Sequence, residues 1–102
     1  MTKTEMVANL KEMLDDTKGA VQNEHIWALG APNEEQASMH NENERNLEER
    51  VENLETILKV LEGEVDTTEV FLEDAIESVL EEEKLADTEY VEMFTELKEQ
   101  YC

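Results

Sequence analysis

From Asn33 to Glu62 the chain contains neither glycine nor proline, and its apolar residues step through Leu47, Val51, Leu54, Leu58, Leu61 and Val65 at intervals of four and three. That is an a/d heptad seam, with Ile57 widening it, and it predicts one long helix of coiled-coil type. Pro32 closes off what precedes. Asn33 is a good N-cap, Gln36 completes the reciprocal pair, and Glu34 and Glu35 sit where the helix dipole favours anions. A helix over 34–62 is about 43 Å long at ~1.5 Å per residue, whereas a compact globule of this size has a radius of gyration near ~13 Å. The helix outruns its own domain. Either a second chain covers the seam, or the other helices fold back on it as a hairpin; homodimerisation through residues 44–65 is the preferred reading. Backwards the seam passes Glu44, His40 and Ala37 and weakens.

The flanks read as helices too. Met6, Val7, Leu10, Met13 and Leu14 share one face of an amphipathic segment capped by Thr2 with Glu5, and Gly19 marks its C-terminus unless the helix resumes directly. Val21, Ile26, Trp27 and Leu29 suggest a short second helix with a buried aromatic, ended by Gly30-Ala31-Pro32. After Gly63, Asp66-Thr67-Thr68-Glu69 carries a cap signature, and Val70, Phe71, Leu72, Ala75, Ile76, Val79 and Leu80 form a third apolar face. Asp87-Thr88-Glu89 opens a fourth, through Tyr90, Val91, Phe94, Leu97 and Tyr101. No stretch alternates with period two. The expected fold is all-α, a helical hairpin or bundle, with an N-terminal segment over 1–30 and an acidic part over 33–102 in one domain. Trp27, Phe71, Phe94, Tyr90 and Tyr101 are expected in the core; the five methionines show no common pattern.

Charge excludes several classes of function. In 102 residues there are 28 acidic and 8 basic side chains, a net charge of −20. Such a chain is repelled by nucleic acid and by anionic membrane surfaces, and its natural partners are basic. Apolar residues make up 39%, short of the usual ~45–50%, and no run reaches the ~20 residues of a membrane span. Met1-Thr2-Lys3-Thr4-Glu5 lacks the apolar stretch of a signal peptide, and Cys102 is the one cysteine, so a soluble, cytoplasmic protein without internal disulfides is expected. No constellation for catalysis, cofactor or metal is present. There is no phosphate loop and no cysteine pair for zinc; His25 and His40 stand outside any Glu-x-x-His pattern; the acidic loops fail the EF-hand spacing. His25 reads as a packing or surface residue and His40 as a structural one, with a pH-sensitive joint as its sharper alternative.

The negative charge is concentrated downstream. Residues 1–33 carry −2, residues 34–65 carry −7 and residues 66–102 carry −11. Helices ordinarily mix signs, because opposite charges at i,i+4 stabilise by roughly 0.2–0.5 kcal/mol and like charges destabilise by as much. Duplex DNA presents a charge every ~1.7 Å of axis. Two long helices side by side, each with a carboxylate every ~4 Å, approach that density.

In size, charge and helical carboxylate rows such as Glu81-Glu82-Glu83, residues 34–102 resemble the small, very acidic DNA-mimic proteins with which phages and mobile elements disable host DNA-binding proteins. The resemblance implies a basic target such as an HU-type nucleoid protein, a restriction or CRISPR effector, or RNA polymerase, met in the host cytoplasm. On this reading the chain is a competitive inhibitor. Its phosphate-mimicking contacts are Glu77, Glu81, Glu82, Glu83 and Asp87 with Glu73 and Asp74, and then Glu48, Glu49, Glu52 and Glu55. Two alternatives stand beside it: an assembly coiled coil whose functional surface is the seam, and an anti-sigma-like regulator that binds its target outside the DNA site.

Overall fold

Four helices pack as an antiparallel hairpin with a shorter pair laid against one end of it. The computed structural model describes residues 2–66 and 70–101, and among these there is no strand. The helices are α1 (Lys3–Leu29), α2 (Glu34–Leu61), α3 (Leu72–Ala86) and α4 (Val91–Tyr101). The radius of gyration is 15.0 Å and the principal extents are 47 × 28 × 20 Å. The molecule is therefore longer than a compact globule, as the long-helix argument requires.

The caps form where side-chain chemistry places them. Thr2 Oγ1 accepts from the Glu5 amide at 3.2 Å and Asn33 Oδ1 from the Gln36 amide at 2.9 Å. α1 does not break at Gly19: it runs through to Leu29, where the Gly30 amide donates to the Ile26 carbonyl at 3.1 Å. One helix replaces the expected two, because an interior glycine costs only about 1 kcal/mol relative to alanine and α2 lies alongside on both sides of it. α2 ends in a Schellman turn, with Gly63 at φ 78° and the Glu64 amide reaching back to the Lys59 carbonyl at 2.9 Å. α3 ends in the same way, but with Asp87 in the left-handed position at φ 53°. Of the cap signature before α3, Thr67, Thr68 and Glu69 lie outside the described residues; α3 itself starts after Phe71 with no side-chain cap. α4 starts at Val91, and Thr88 Oγ1 accepts from the Tyr90 amide at 3.3 Å just ahead of it.

Polar side-chain pairs mark the register between α1 and α2. Lys11 meets Glu62 at 3.3 Å, Lys18 meets Glu55 at 3.6 Å, His25 meets Glu44 at 3.1 Å and His40 meets Glu24 at 2.5 Å. From Lys11 through Lys18 to the Glu24 and His25 pair, the partners step back along α2 from Glu62 through Glu55 to the 40–44 turn, which is the antiparallel ladder of a hairpin.

The core is confined to one half of this hairpin. Met6, Leu10 and Met13 of α1 and Leu54, Ile57 and Leu61 of α2 pack with Leu72, Ala75, Ile76, Val79 and Leu80 of α3 and Met93, Phe94 and Leu97 of α4. Met6 and Met13 take the core positions that their spacing on the first helix predicts, and Met93 joins them from α4, a role its sequence did not disclose. From Lys18 to Asn53 no residue is buried. The molecule is a four-helix head with a two-helix arm.

Two expectations are corrected by this arrangement. Leu54 and Leu61 are fully buried inside the single chain and Leu58 packs on the same core, so this half of the seam is covered intramolecularly. Leu47 and Val51 are half-buried between the arm helices, and Val65 falls beyond the end of α2. Trp27 and Phe71 are 53% and 84% exposed rather than in the core. Trp27 lies in the arm, which has no third layer, and Phe71 precedes the first turn of α3.

Candidate functional site: the acidic surface

The carboxylates expected to imitate phosphates divide into two sets once the chain is folded. Glu83 is only 4% exposed. Arg50 of α2 grips it through Nη2 and donates through Nη1 to Glu82 at 3.0 Å, while the Thr88 hydroxyl donates to the other Glu83 oxygen. Burial pushes the Arg50 pKa down, but the hydrogen bonds it donates to Glu83 and Glu82, together with their negative charges, outweigh it and raise the pKa above its ordinary value. This clamp ties α2 to α3 and to the α3–α4 turn. Glu83 is therefore a structural residue, a correction to its place in the outer row. Its burial follows from position: it shares with Val79 and Leu80 the face that α3 turns to the core.

Two further members are paired at the surface. Glu77 accepts from Lys98 of α4 at 2.7 Å and Glu55 pairs with Lys18. Glu48, Glu49, Glu52, Glu73, Asp74, Glu81 and Asp87 are exposed, and their side chains make no ion pair or hydrogen bond among the described residues.

Folding also brings in carboxylates that no local pattern connects. Tyr90, at the start of α4, has its pKa raised by partial burial and by the negative field of Glu12, Glu89, Asp16 and Glu83. Glu12 and Asp16 belong to α1, so the acidic surface continues from the α3–α4 turn onto the N-terminal helix. The signal was present as an i,i+4 pair on α1, but its neighbours lie at Glu83, Glu89 and Tyr90, near the other end of the sequence. Beside this strip a concavity of about 470 Å³ runs between α1, α2 and α3, with Asp16, Leu47, Arg50, Glu82 and Tyr90 among its lining.

The arm differs in chemistry. His25 and His40 each contact a glutamate on the opposite helix, and the Trp27 ring lies 5.8 Å from the His40 ring, tilted by 54°. Between Lys18 and Arg45 there is no lysine or arginine. Ile26, Leu29 and Met39 are exposed alongside Trp27. No group of three or more His, Cys, Asp or Glu side chains is placed to hold a metal ion among the described residues. No helix among them is long and apolar enough to cross a membrane.

Among the described residues the fold is all-α with four helices, and the chain's charge is overwhelmingly of one sign. No family model, curated protein or solved structure matches the chain.

Proposed function

We propose that the protein is a polyanion mimic that occupies the nucleic-acid site of a basic protein and inhibits it by competition. The observation that carries this reading is the pairing of charge with length. A net charge of −20 on a body 47 Å long amounts to one uncompensated negative charge per about 2.4 Å, against ~1.7 Å for duplex DNA. One chain thus comes close to the required density without a partner alongside it. Glu48, Glu49, Glu52, Glu73, Asp74 and Glu81 support the reading further, because they are fixed on α2 and α3 and their side chains make no ion pair or hydrogen bond among the described residues. A groove lined with Lys and Arg would release its counterions to them as it does to phosphates.

The test is displacement. A short fluorescent duplex is bound to an HU-type nucleoid protein and this protein is titrated in at low salt. Anisotropy should fall to the free-duplex value, and the apparent affinity should drop as salt rises. The variant Glu73→Lys/Asp74→Lys/Glu81→Lys should lose displacement while keeping its helical circular dichroism. Glu82 and Glu83 are left alone because Arg50 depends on them. A duplex that stays bound while this protein joins the complex would favour the regulator that docks outside the DNA site. Displacement that survives the triple reversal would overturn the mimicry.

A further inference from the structure

Both histidines of the chain lie in the arm, and we propose that they make it a pH-sensitive clasp, tight when the imidazoles are charged and looser when they are neutral. None of the residues from Lys18 to Asn53 is buried, so the arm lacks the apolar core that fixes the head. Two crossed polar contacts join its helices. Glu24 and His25 are neighbours on α1, and His40 and Glu44 lie one turn apart on α2. His40 Nδ1 is 2.5 Å from Glu24 Oε2, and His25 Nδ1 is 3.1 Å from Glu44 Oε1. Each helix thus supplies one imidazole and one carboxylate. The His40–Glu24 pair is the more sheltered, with side chains 21% and 15% exposed, against 59% for His25. The Trp27 ring stands beside it, 5.8 Å from the ring of His40.

Histidine is the side chain whose ordinary range of charge change falls between pH 5 and pH 8. A neutral imidazole keeps a single N–H. Facing a carboxylate through Nδ1, it either donates that proton as an uncharged group or turns a lone pair toward the anion. The imidazolium donates from both nitrogens, and a charge-assisted hydrogen bond is about twice as strong as a neutral one. No rival cation competes for these glutamates. From Gly19 to Glu44 there is no lysine or arginine; Lys18 pairs with Glu55 and Arg45 is exposed on α2. The core of α3 and α4 packs on the other half of the hairpin, so α1 and α2 are the elements that face the imidazoles. Glu24 and Trp27 of α1 face His40. Glu44 of α2 faces His25, on a surface shared with the uncharged Val21, Gln22 and Ile26. Along α2 itself Glu44 is one turn from His40, and Glu34, Glu35 and Glu42 are exposed. A proton on either imidazole therefore meets attraction from all these acids and repulsion only from the other imidazole. Residues 19–44 hold five glutamates and two histidines, so they carry −5 with neutral imidazoles and −3 with charged ones. Local opening of a segment with few buried contacts costs little, so strengthening two cross-helix contacts shifts the arm toward its closed form.

Hydrogen exchange read by mass spectrometry at pH 8 and pH 5.5, at constant ionic strength and corrected for the intrinsic exchange rate, tests the clasp on the protein alone. No basic partner is involved, so its failure and that of the polyanion reading are separate. Arm amides over residues 19–44 should gain about fivefold more protection at pH 5.5 than the same segment of His25→Gln/His40→Gln, a variant that keeps N–H donors but takes up no proton. Protection that the whole fold gains as acidic repulsion weakens is common to both chains and cancels. Glu24→Gln/Glu44→Gln should lose the same excess, because the carboxylates that receive the charge are gone. Trp27 is the single tryptophan and reads His40 directly, since an imidazolium quenches a neighbouring indole. Its emission should fall between pH 8 and pH 5.5 in the parent chain and stay level in His40→Gln. Equal protection changes in the parent and in the two-histidine variant would overturn the clasp. So would an arm that loosens at pH 5.5, an excess that survives removal of both carboxylates, or quenching with no excess of protection. An emission indifferent to pH would overturn the role of His40.

Discussion

Glu83 shows how one residue can be misplaced by its neighbours. It ends a run of three glutamates on an acidic helix, yet it is buried and held by Arg50 and Thr88. Removing one partner of a buried ion pair leaves the other charge uncompensated. Glu83→Ala should lower the unfolding free energy by about 3 kcal/mol, read from the urea midpoint, and Glu83→Gln, whose one amide oxygen can still accept from Arg50 while its NH2 donates to the Thr88 hydroxyl, by about half as much. Glu81→Ala, one position outside the clamp, should change it by less than about 0.5 kcal/mol. Tyr90 supplies a second test at this scale. Its pKa is raised in the folded chain by burial and by Glu12, Glu89, Asp16 and Glu83. The unfolded tyrosine therefore gives up its proton at a lower pH than the folded one. Above the ordinary value near 10 the unfolded state binds fewer protons, so stability falls as pH rises through the folded pKa. Thermal melts between pH 9 and pH 11 should show Tyr90→Phe losing less stability than the parent chain over that window.

At the scale of the element, what the sequence disclosed and what it withheld have one physical cause. Pro32, the Asn33 cap and the heptad steps of α2 are local signals, and the structure reproduces them. So are the apolar faces of α3 and α4, whose Ile76, Val79, Phe94 and Leu97 are buried. Periodicity says which face of a helix is apolar; it does not say whether another element lies against that face. Trp27 and Phe71 fit their helical patterns and are exposed, Trp27 because a third layer reaches only half of the hairpin and Phe71 because it lies just ahead of α3. Among the phosphate-mimicking candidates, Glu81 and Asp87 stay outside and Glu83 turns in, a difference set by α3's rotation against the core. Gly19 is ambiguous in the sequence for a related reason: a C-cap glycine and an interior glycine look alike until the packing is known. It lies inside α1, and a Cβ built there meets nothing within 4 Å. Gly19→Ala should therefore stabilise the protein by about 1 kcal/mol, seen as a rise of roughly 4–8 °C in Tm. A neutral or destabilising result would mean that α1 bends at this position.

At the scale of the molecule, stability and function draw on the same electrostatic imbalance. Cross-helix pairs such as Lys11–Glu62 and Lys18–Glu55 are exposed, and each is worth no more than about 1 kcal/mol. Against them stand 28 acidic groups with 8 cations to neutralise them. Two unpaired carboxylates ~10 Å apart in water repel by about 0.4 kcal/mol, and with acids in such excess over cations the repulsion adds up to more than the ladder returns. Salt screens both attraction and repulsion, but it weakens the repulsion more, because there is more of it to screen. Raising NaCl from about 0.02 to about 0.5 M should therefore increase Tm, by on the order of 5 °C, whereas a fold held together by its ion pairs would lose stability over the same range. A cationic partner acts in the same direction by binding only the folded, aligned array of carboxylates. At low salt a basic DNA-binding protein, added in excess of its dissociation constant, should raise Tm further, and at high salt the increment should shrink while the baseline Tm rises. Opposite salt trends for the bare protein and for the partner's increment identify one field of unneutralised carboxylates as the source of both.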